Sequence, residues 1–239
     1  MNIAVIFAGG TGQRMNTKAL PKQFLELHGK PILVYTLQKF QQHKEIDGIV
    51  LVVLAEWIEH CSKLIEQYRL TKVAAIVPGG KTGQESIYNG ISKACELYPS
   101  DSIALVHDGV RPLIDAETIT QNIACAKLHG TAITVSPAIE TIVMKGQENE
   151  VGEILERNRC QVAKAPQSFV LGQLLTAHEQ ARKEQQQDFI DSACLMRHYG
   201  YKLYTVEGKP ENIKITTPSD FYTFRALVDA IENSQIMGL

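Results

Sequence analysis

"IAVIFAGGTGQRMNTKALPKQ", residues 3–23, decides the fold class: five apolar residues run straight into a loop carrying Gly9, Gly10 and Gly12, and three cations, Arg14, Lys18 and Lys22, follow. A short, continuously apolar run of this kind fits a strand covered on both faces. Glycines placed directly after it let backbone N–H groups converge with no Cβ in the way, and Arg14 adds a planar fork matched to phosphate oxygens. Pro21 restrains the backbone beside Lys22, so its ammonium is expected to be a second fixed charge, whereas Lys18 reads as a solvated loop residue. The stretch reads as a strand opening onto an anion-binding loop.

Two common nucleotide signatures do not fit that loop. A P-loop places lysine directly after its last glycine, and here Gln13 follows Gly12. A dinucleotide fingerprint starting at Gly10 requires a glycine where the chain has Met15. A sugar-nucleotide glycosyltransferase would bring a DxD metal motif, which the sequence lacks. A nucleotide-binding regulator without turnover is the remaining rival class.

Working outward, further apolar runs occur at 48–54, 73–77, 102–107, 131–136 and 201–206. Between them lie amphipathic stretches. Ile32, Leu33, Thr36, Leu37 and Phe40 share one helical face behind Pro31, and Ile87, Ile91, Ala94, Cys95 and Tyr98 share another. Asp115 reads as an N-cap of a helix ending at His129–Gly130, and Thr217 to Asp220 as a capping box. Repeated β-α-β units imply an α/β fold: one domain over 1–239 with a Rossmann-like, mainly parallel sheet, helices on both faces, and ligands at the strands' carboxyl ends.

One segment departs from the alternation. Residues 139–165, "IETIVMKGQENEVGEILERNRCQVAKA", offer two short extended pieces about a polar turn and little surface for a core. They read as a projecting β-hairpin arm. Its apolar residues Ile142, Val143, Met144, Val151, Ile154 and Leu155 need a cover, so a homodimer clasped through the arm is expected.

A formal net charge of −2 argues against a nucleic-acid binder, whose affinity comes from a broad basic face. The five cysteines lie thirty or more residues apart and form no metal-ligand or disulfide spacing, which fits a reducing cytoplasm. No run of eighteen apolar residues and no signal-like N-terminus occurs, so no membrane association is expected.

Taken together, "AGGTGQRM", "LPKQFLEL", the paired Gly79–Gly80, "VHDGVRP" (106–112), "ETI" (140–142), "APQSF" (165–169) and "ENIKITTPSD" (211–220) resemble the cytidylyltransferases that make CDP-alditols. That family includes 2-C-methyl-D-erythritol 4-phosphate and ribitol-5-phosphate cytidylyltransferases, and the likeness runs in order through essentially the whole chain. The resemblance implies transfer of CMP from CTP to a sugar-alcohol phosphate, with Mg²⁺ on the triphosphate. It further implies that Ala8, Gly9, Gly10, Thr11 and Gly12 line the nucleotide, and that Arg14 and Lys22 hold its phosphates. Gly79, Gly80 and Ser86 would help hold the cytidine, and Asp108 would lie beside the metal and both substrates. Lys214, Arg111, Thr141 and Arg157 would bind the alditol phosphate, the last two reaching across to the partner's site. A reductase that supplies the alditol phosphate is a further candidate partner.

The chain departs from the methylerythritol pattern at Gly83 and Gln84, where an arginine is usual after the paired glycines, at Ala165, and at "IDSAC" (190–194). Other words, including "AEWIEH" (55–60) and "ETIVM" (140–144), look closer to the ribitol-5-phosphate branch. D-ribitol 5-phosphate is therefore the expected substrate, with methylerythritol phosphate as the alternative. Such a phosphate has a second pKa of about 6 and is already a nucleophile at neutral pH, so no strong general base is expected. His107 is accordingly read as a core histidine.

Overall fold

Eleven strands and seven α-helices are found among the residues that the structure, a computed structural model, describes: 1–9, 20–186 and 188–237. The first half of the chain runs β1 (Asn2–Ala8), β2 (Glu26–Leu27), β3 (Lys30–Pro31), α1 (Ile32–Gln42), β4 (Gly48–Val53), α2 (Ile58–Gln67), β5 (Val73–Pro78), α3 (Gly83–Leu97) and β6 (Ile103–Asp108). The second half runs α4 (Ala116–His129), β7 (Thr131–Pro137), β8 (Val143–Lys145), β9 (Val151–Ile154), β10 (Gln161–Val170), α5 (Leu171–Lys183), α6 (Ser192–His198), β11 (Thr205–Glu207) and α7 (Pro218–Met237).

The main sheet has the order β11-β7-β10-β6-β1-β4-β5, and every neighbouring pair is parallel except the two that β10 makes. Alternate residues of β1 face opposite layers, as a two-sided strand requires. Ala4 and Ile6 join α1, α2 and α4 in one apolar core, while Ile3 and Val5 join α3, α5 and α6 in the other. A third, smaller core packs Phe224 and Val228 of α7 against Ile32, Val110 and Ile215.

Local chemistry fixes the helix ends. The Asp115 carboxylate accepts from the Thr118 N–H at 2.9 Å and Gly130 closes α4 at φ 82°, a left-handed conformation that favours glycine. Asp220 accepts from the Thr217 N–H at 2.7 Å and donates its own N–H to the Thr217 hydroxyl, the reciprocal pair expected of a capping box.

Two expectations need correction. The run 201–206 forms a strand only from Thr205, because the Lys202 carbonyl is taken by the Thr131 hydroxyl and Tyr201 and Leu203 pack into the core. Residues 161–165, read as part of the arm, begin β10, a ten-residue antiparallel strand in the middle of the sheet. Its signal was masked by Lys164 and Pro166, which the strand accommodates with a register shift between Ala163 and Gln167.

The hairpin itself comprises β8 and β9, paired antiparallel outside the main sheet. Its chain leaves and re-enters at adjacent points, where the Ala138 N–H donates to the Cys160 carbonyl at 3.2 Å and Pro137 pairs with Gln161. Ile139, Val143, Met144, Val151, Ile154 and Val162 all stand exposed on or beside it.

Candidate active site

Parallel register assembles the site. Phe7 of β1 lies beside Asp108 of β6, Ala8 beside Val53 of β4, and Val53 beside Pro78 of β5. The residues that follow, Gly9, Gly79 and Gly109, therefore emerge together at the carboxyl edge of the sheet.

Ser86, buried in the first turns of α3, joins two of these turns. Its hydroxyl donates to the Thr82 carbonyl at 2.9 Å and accepts from the Gly80 N–H at 3.0 Å. A Cβ on Gly79 would stand 3.1 Å from that oxygen, and one on Gly9 3.4 Å, so both glycines let Ser86 sit against the β1 loop. Gly109 is under a harder constraint: a Cβ there would meet the Ala8 side chain at 2.9 Å and Leu33 at 3.0 Å. Gly10, Thr11, Gly12 and Arg14 lie outside the described residues.

Lys22 sits in a single 3-10 turn, Lys22–Phe24, that two neighbours anchor. The buried Gln23 amide donates to the Ala8 carbonyl at 2.7 Å, and Phe24 stacks on Trp57 with ring centroids 4.6 Å apart. The turn is thereby tied to the end of β1. The anchoring role of Gln23 was not read from the sequence, although it directly follows Lys22.

The centre of the site is a buried carboxylate between two cations. Arg111 Nε donates to Asp108 Oδ2 at 2.8 Å, and Lys214 Nζ lies 2.6 Å from Asp108 Oδ1. Asp108 is 5% exposed. Burial alone would raise its carboxyl pKa, and the Lys214 and Arg111 charges together outweigh that effect and hold it below the usual value. Arg111 also donates from Nη1 to the Asn212 carbonyl at 2.9 Å, so much of its fork is spent on shaping the pocket. Lys214 is placed by its neighbours: Asn212 is fully buried and donates to the Ala165 carbonyl at 2.7 Å, and the Ile215 N–H donates to Val110 at 2.9 Å.

These side chains line a cavity of about 300 Å³. Phe7, Ile87, Phe189 and Ile190 give it apolar walls, and Lys164, Gln167 and Asp191 join Asp108, Arg111 and Lys214 as its polar groups. Gln167 is buried and holds the far wall, donating to Asp191 at 2.8 Å and accepting from the Ala193 N–H at 2.9 Å. Sequence reasoning missed Lys164 and Gln167. Lys164 lies in the stretch assigned to the arm, and Gln167 lies within "APQSF" just after it, where no role was read for it. Thr141 and Arg157 do not line this cavity in their own chain; both are exposed, Arg157 in an open depression at the base of the arm.

His107 is fully buried, its Nε2–H donating to the Arg111 carbonyl at 3.2 Å, and burial pushes its pKa down to about 4. His178, 2% exposed and with no hydrogen bond to either ring nitrogen among the described residues, is likewise lowered to about 4, by burial first and Arg182 second. Both rings are neutral near pH 7 and neither is a proton source there. Because the unfolded chain takes up these protons near pH 6.5, before the folded one does, the stability they supply is complete above pH 6.5. It is expected to fall between pH 6.5 and 4 by roughly 1.4 kcal/mol per unit for each ring. Denaturant unfolding across that range should show the loss, and His178→Phe should reduce its slope by one proton.

Glycine turns gathered beside a cation-lined pocket at the carboxyl edge of such a sheet suit a phosphorylated ligand. Three likenesses narrow this. A protein of Vibrio parahaemolyticus named ribitol-5-phosphate cytidylyltransferase is 49% identical over 238 residues, covering all of both chains. A Clostridium botulinum 2-C-methyl-D-erythritol 4-phosphate cytidylyltransferase is 40% identical over 222 residues, 92% of this chain and 93% of that one. The solved 4-diphosphocytidyl-2C-methyl-D-erythritol synthase of Anaerococcus prevotii superposes with a TM-score of 0.80 at 26% identity, covering 95% of each chain. Residues 2–230 match the IspD family description, and the chain belongs to the 2-C-methyl-D-erythritol 4-phosphate cytidylyltransferase family.

Proposed function

We propose that the enzyme transfers CMP from CTP to D-ribitol 5-phosphate, giving CDP-ribitol and pyrophosphate. The cation pair built on Asp108, beside the glycine-edged cleft, carries the reaction class. The choice of alcohol rests on the full-length 49% likeness to the ribitol-5-phosphate enzyme, against 40% over a shorter span for the methylerythritol one.

A phosphate oxygen of the alditol attacks the α-phosphorus of CTP. One P–O bond forms as the bond to the bridging oxygen breaks, and pyrophosphate departs in line. No proton has to be removed from a dianionic nucleophile, so the side chains work by alignment and charge. Lys214 and Arg111 offset the repulsion between two polyanions, while Lys22 and Arg14 serve the triphosphate. Mg²⁺ carried mainly by triphosphate oxygens and water requires only one or two carboxylates. Asp108 fits that need, since each of its oxygens keeps a lone pair beyond the cation it already meets. The metal would supply further neutralisation of the triphosphate.

In this reading the exposed arm clasps a second copy and brings Thr141 and Arg157 to the partner's pocket, so the dimer is the active unit. A sugar alcohol is a reduced carbonyl compound, so a reductase acting on a sugar phosphate is the candidate partner that supplies the substrate. The cytoplasm, where CTP is available, is the matching compartment, and no helix among the described residues is long and apolar enough to cross a membrane.

The test is pyrophosphate release with CTP and each alditol phosphate. A kcat/KM at least about tenfold higher for ribitol 5-phosphate is expected, the size of effect one or two lost contacts produce. Higher kcat/KM with methylerythritol phosphate would overturn the choice.

A further inference from the structure

Lys164 is a pocket cation that the mechanism above leaves unused. It lies in β10, inside the register shift that precedes Gln167, and its side chain lines the cavity with Asp108, Arg111 and Lys214. Its ammonium donates to the Pro210 carbonyl at 2.8 Å and reaches the Asn212 carbonyl at 3.5 Å. That second carbonyl also accepts from Arg111. Two positive side chains thus meet at one neutral oxygen, and among the described residues no carboxylate forms an ion pair with Lys164.

The charge balance of the pocket points outward. Three cations, Arg111, Lys164 and Lys214, face two carboxylates, Asp108 and Asp191. Asp108 is matched by its own pair, and Asp191 is turned to the Cys194 N–H at the start of α6 and to Gln167. Burial first, and Arg111 second, lower the Lys164 pKa, and the charge of Glu211, which does not line the cavity, only partly offsets them. A half-buried cation in that position gains most from an anion that enters the cavity, and a phosphate monoester brings a charge of about −1.5 to −2.

We infer that Lys164 is a further substrate-binding residue, completing with Arg111 and Lys214 a three-cation cradle for the phosphate of the incoming alditol phosphate. The inference rests on the proposed reaction but not on which alditol is used. Lys164 then has two jobs: it braces the 210–212 segment while the pocket is empty and turns part of its charge to the substrate when the pocket fills.

The test compares wild type, Lys164→Met and Lys164→Arg in pyrophosphate-release kinetics, with whichever of the two alditol phosphates the wild type uses. The wild type serves as the control on the reaction itself, so its failure with both would sink the proposed function separately. Lys164→Met is expected to raise KM for the alditol phosphate ~10- to 100-fold, the usual size for a lost charge-assisted hydrogen bond. KM for CTP should stay near wild type, the thermal midpoint should fall only by the few degrees that loss of the brace to Pro210 costs, and Lys164→Arg should recover most of the KM loss. An unchanged KM for the alditol phosphate would overturn the inference, as would a fall in kcat alone, which would make Lys164 only a brace for the Lys214 segment.

Discussion

Asp108→Asn is expected to lower turnover by roughly a hundredfold or more and to weaken the fold at the same time. The carboxylate is 5% exposed and holds Lys214 at 2.6 Å and Arg111 at 2.8 Å, so its charge neutralises one of two cations that otherwise repel each other. Removing one member of a buried ionic pair typically costs about 3–5 kcal/mol; Arg111, 12% exposed, would be left desolvated, whereas Lys214, 40% exposed, can turn to water, so the loss is expected at the lower end of that range. The amide keeps the shape but offers an NH₂ to one of two cations. Lys214 loses the contact that fixes its position and Arg111 loses half of its anchoring. Pyrophosphate release and thermal unfolding, measured on the same preparation, should both fall; turnover within about threefold of wild type would remove Asp108 from the catalytic arrangement.

Mixing two inactive variants is expected to restore activity if the arm serves the partner's pocket. Arg157→Ala leaves a chain with an intact pocket and a defective arm; Lys214→Ala leaves the reverse. Each alone should lose about a hundredfold. After exchange at equal concentrations, half of the dimers are mixed and each holds one complete site, so about a quarter of wild-type turnover should return. An arm that acted within its own chain would give no recovery. The exposure of Arg157 and its absence from its own chain's cavity are what make this experiment decisive.

Much of the sheet was legible because its parallel strands are continuously apolar, and β1, β4, β5, β6 and β7 fall where the runs at 3–7, 48–54, 73–77, 102–107 and 131–136 place them. Caps were equally readable, since Asp115, Gly130 and the Thr217–Asp220 box act through local hydrogen bonds. β10 was not. Its Lys164, Pro166 and Gln167 serve the pocket, and a strand that gives up its alternation to a binding site loses the pattern by which strands are recognised. The site divides in the same way. Asp108, Arg111 and Lys214 sit in recognisable words and the fold brings them together, while Gln23 and Asn212 act through buried amides whose partners are distant backbone carbonyls. No spacing along a chain announces a contact of that kind.

The closed base of the hairpin has a further consequence. Because the Ala138 N–H and the Cys160 carbonyl meet where the excursion begins and ends, everything from residue 139 to 159 is a loop insertion whose two feet stand on one spot. Its turn can change in length without altering the pleat that presents the pocket floor. If the arm docks as proposed, a chimera carrying a relative's appendage should keep the pocket of its own chain intact, and its turnover should depend on whether that appendage retains the equivalents of Thr141 and Arg157.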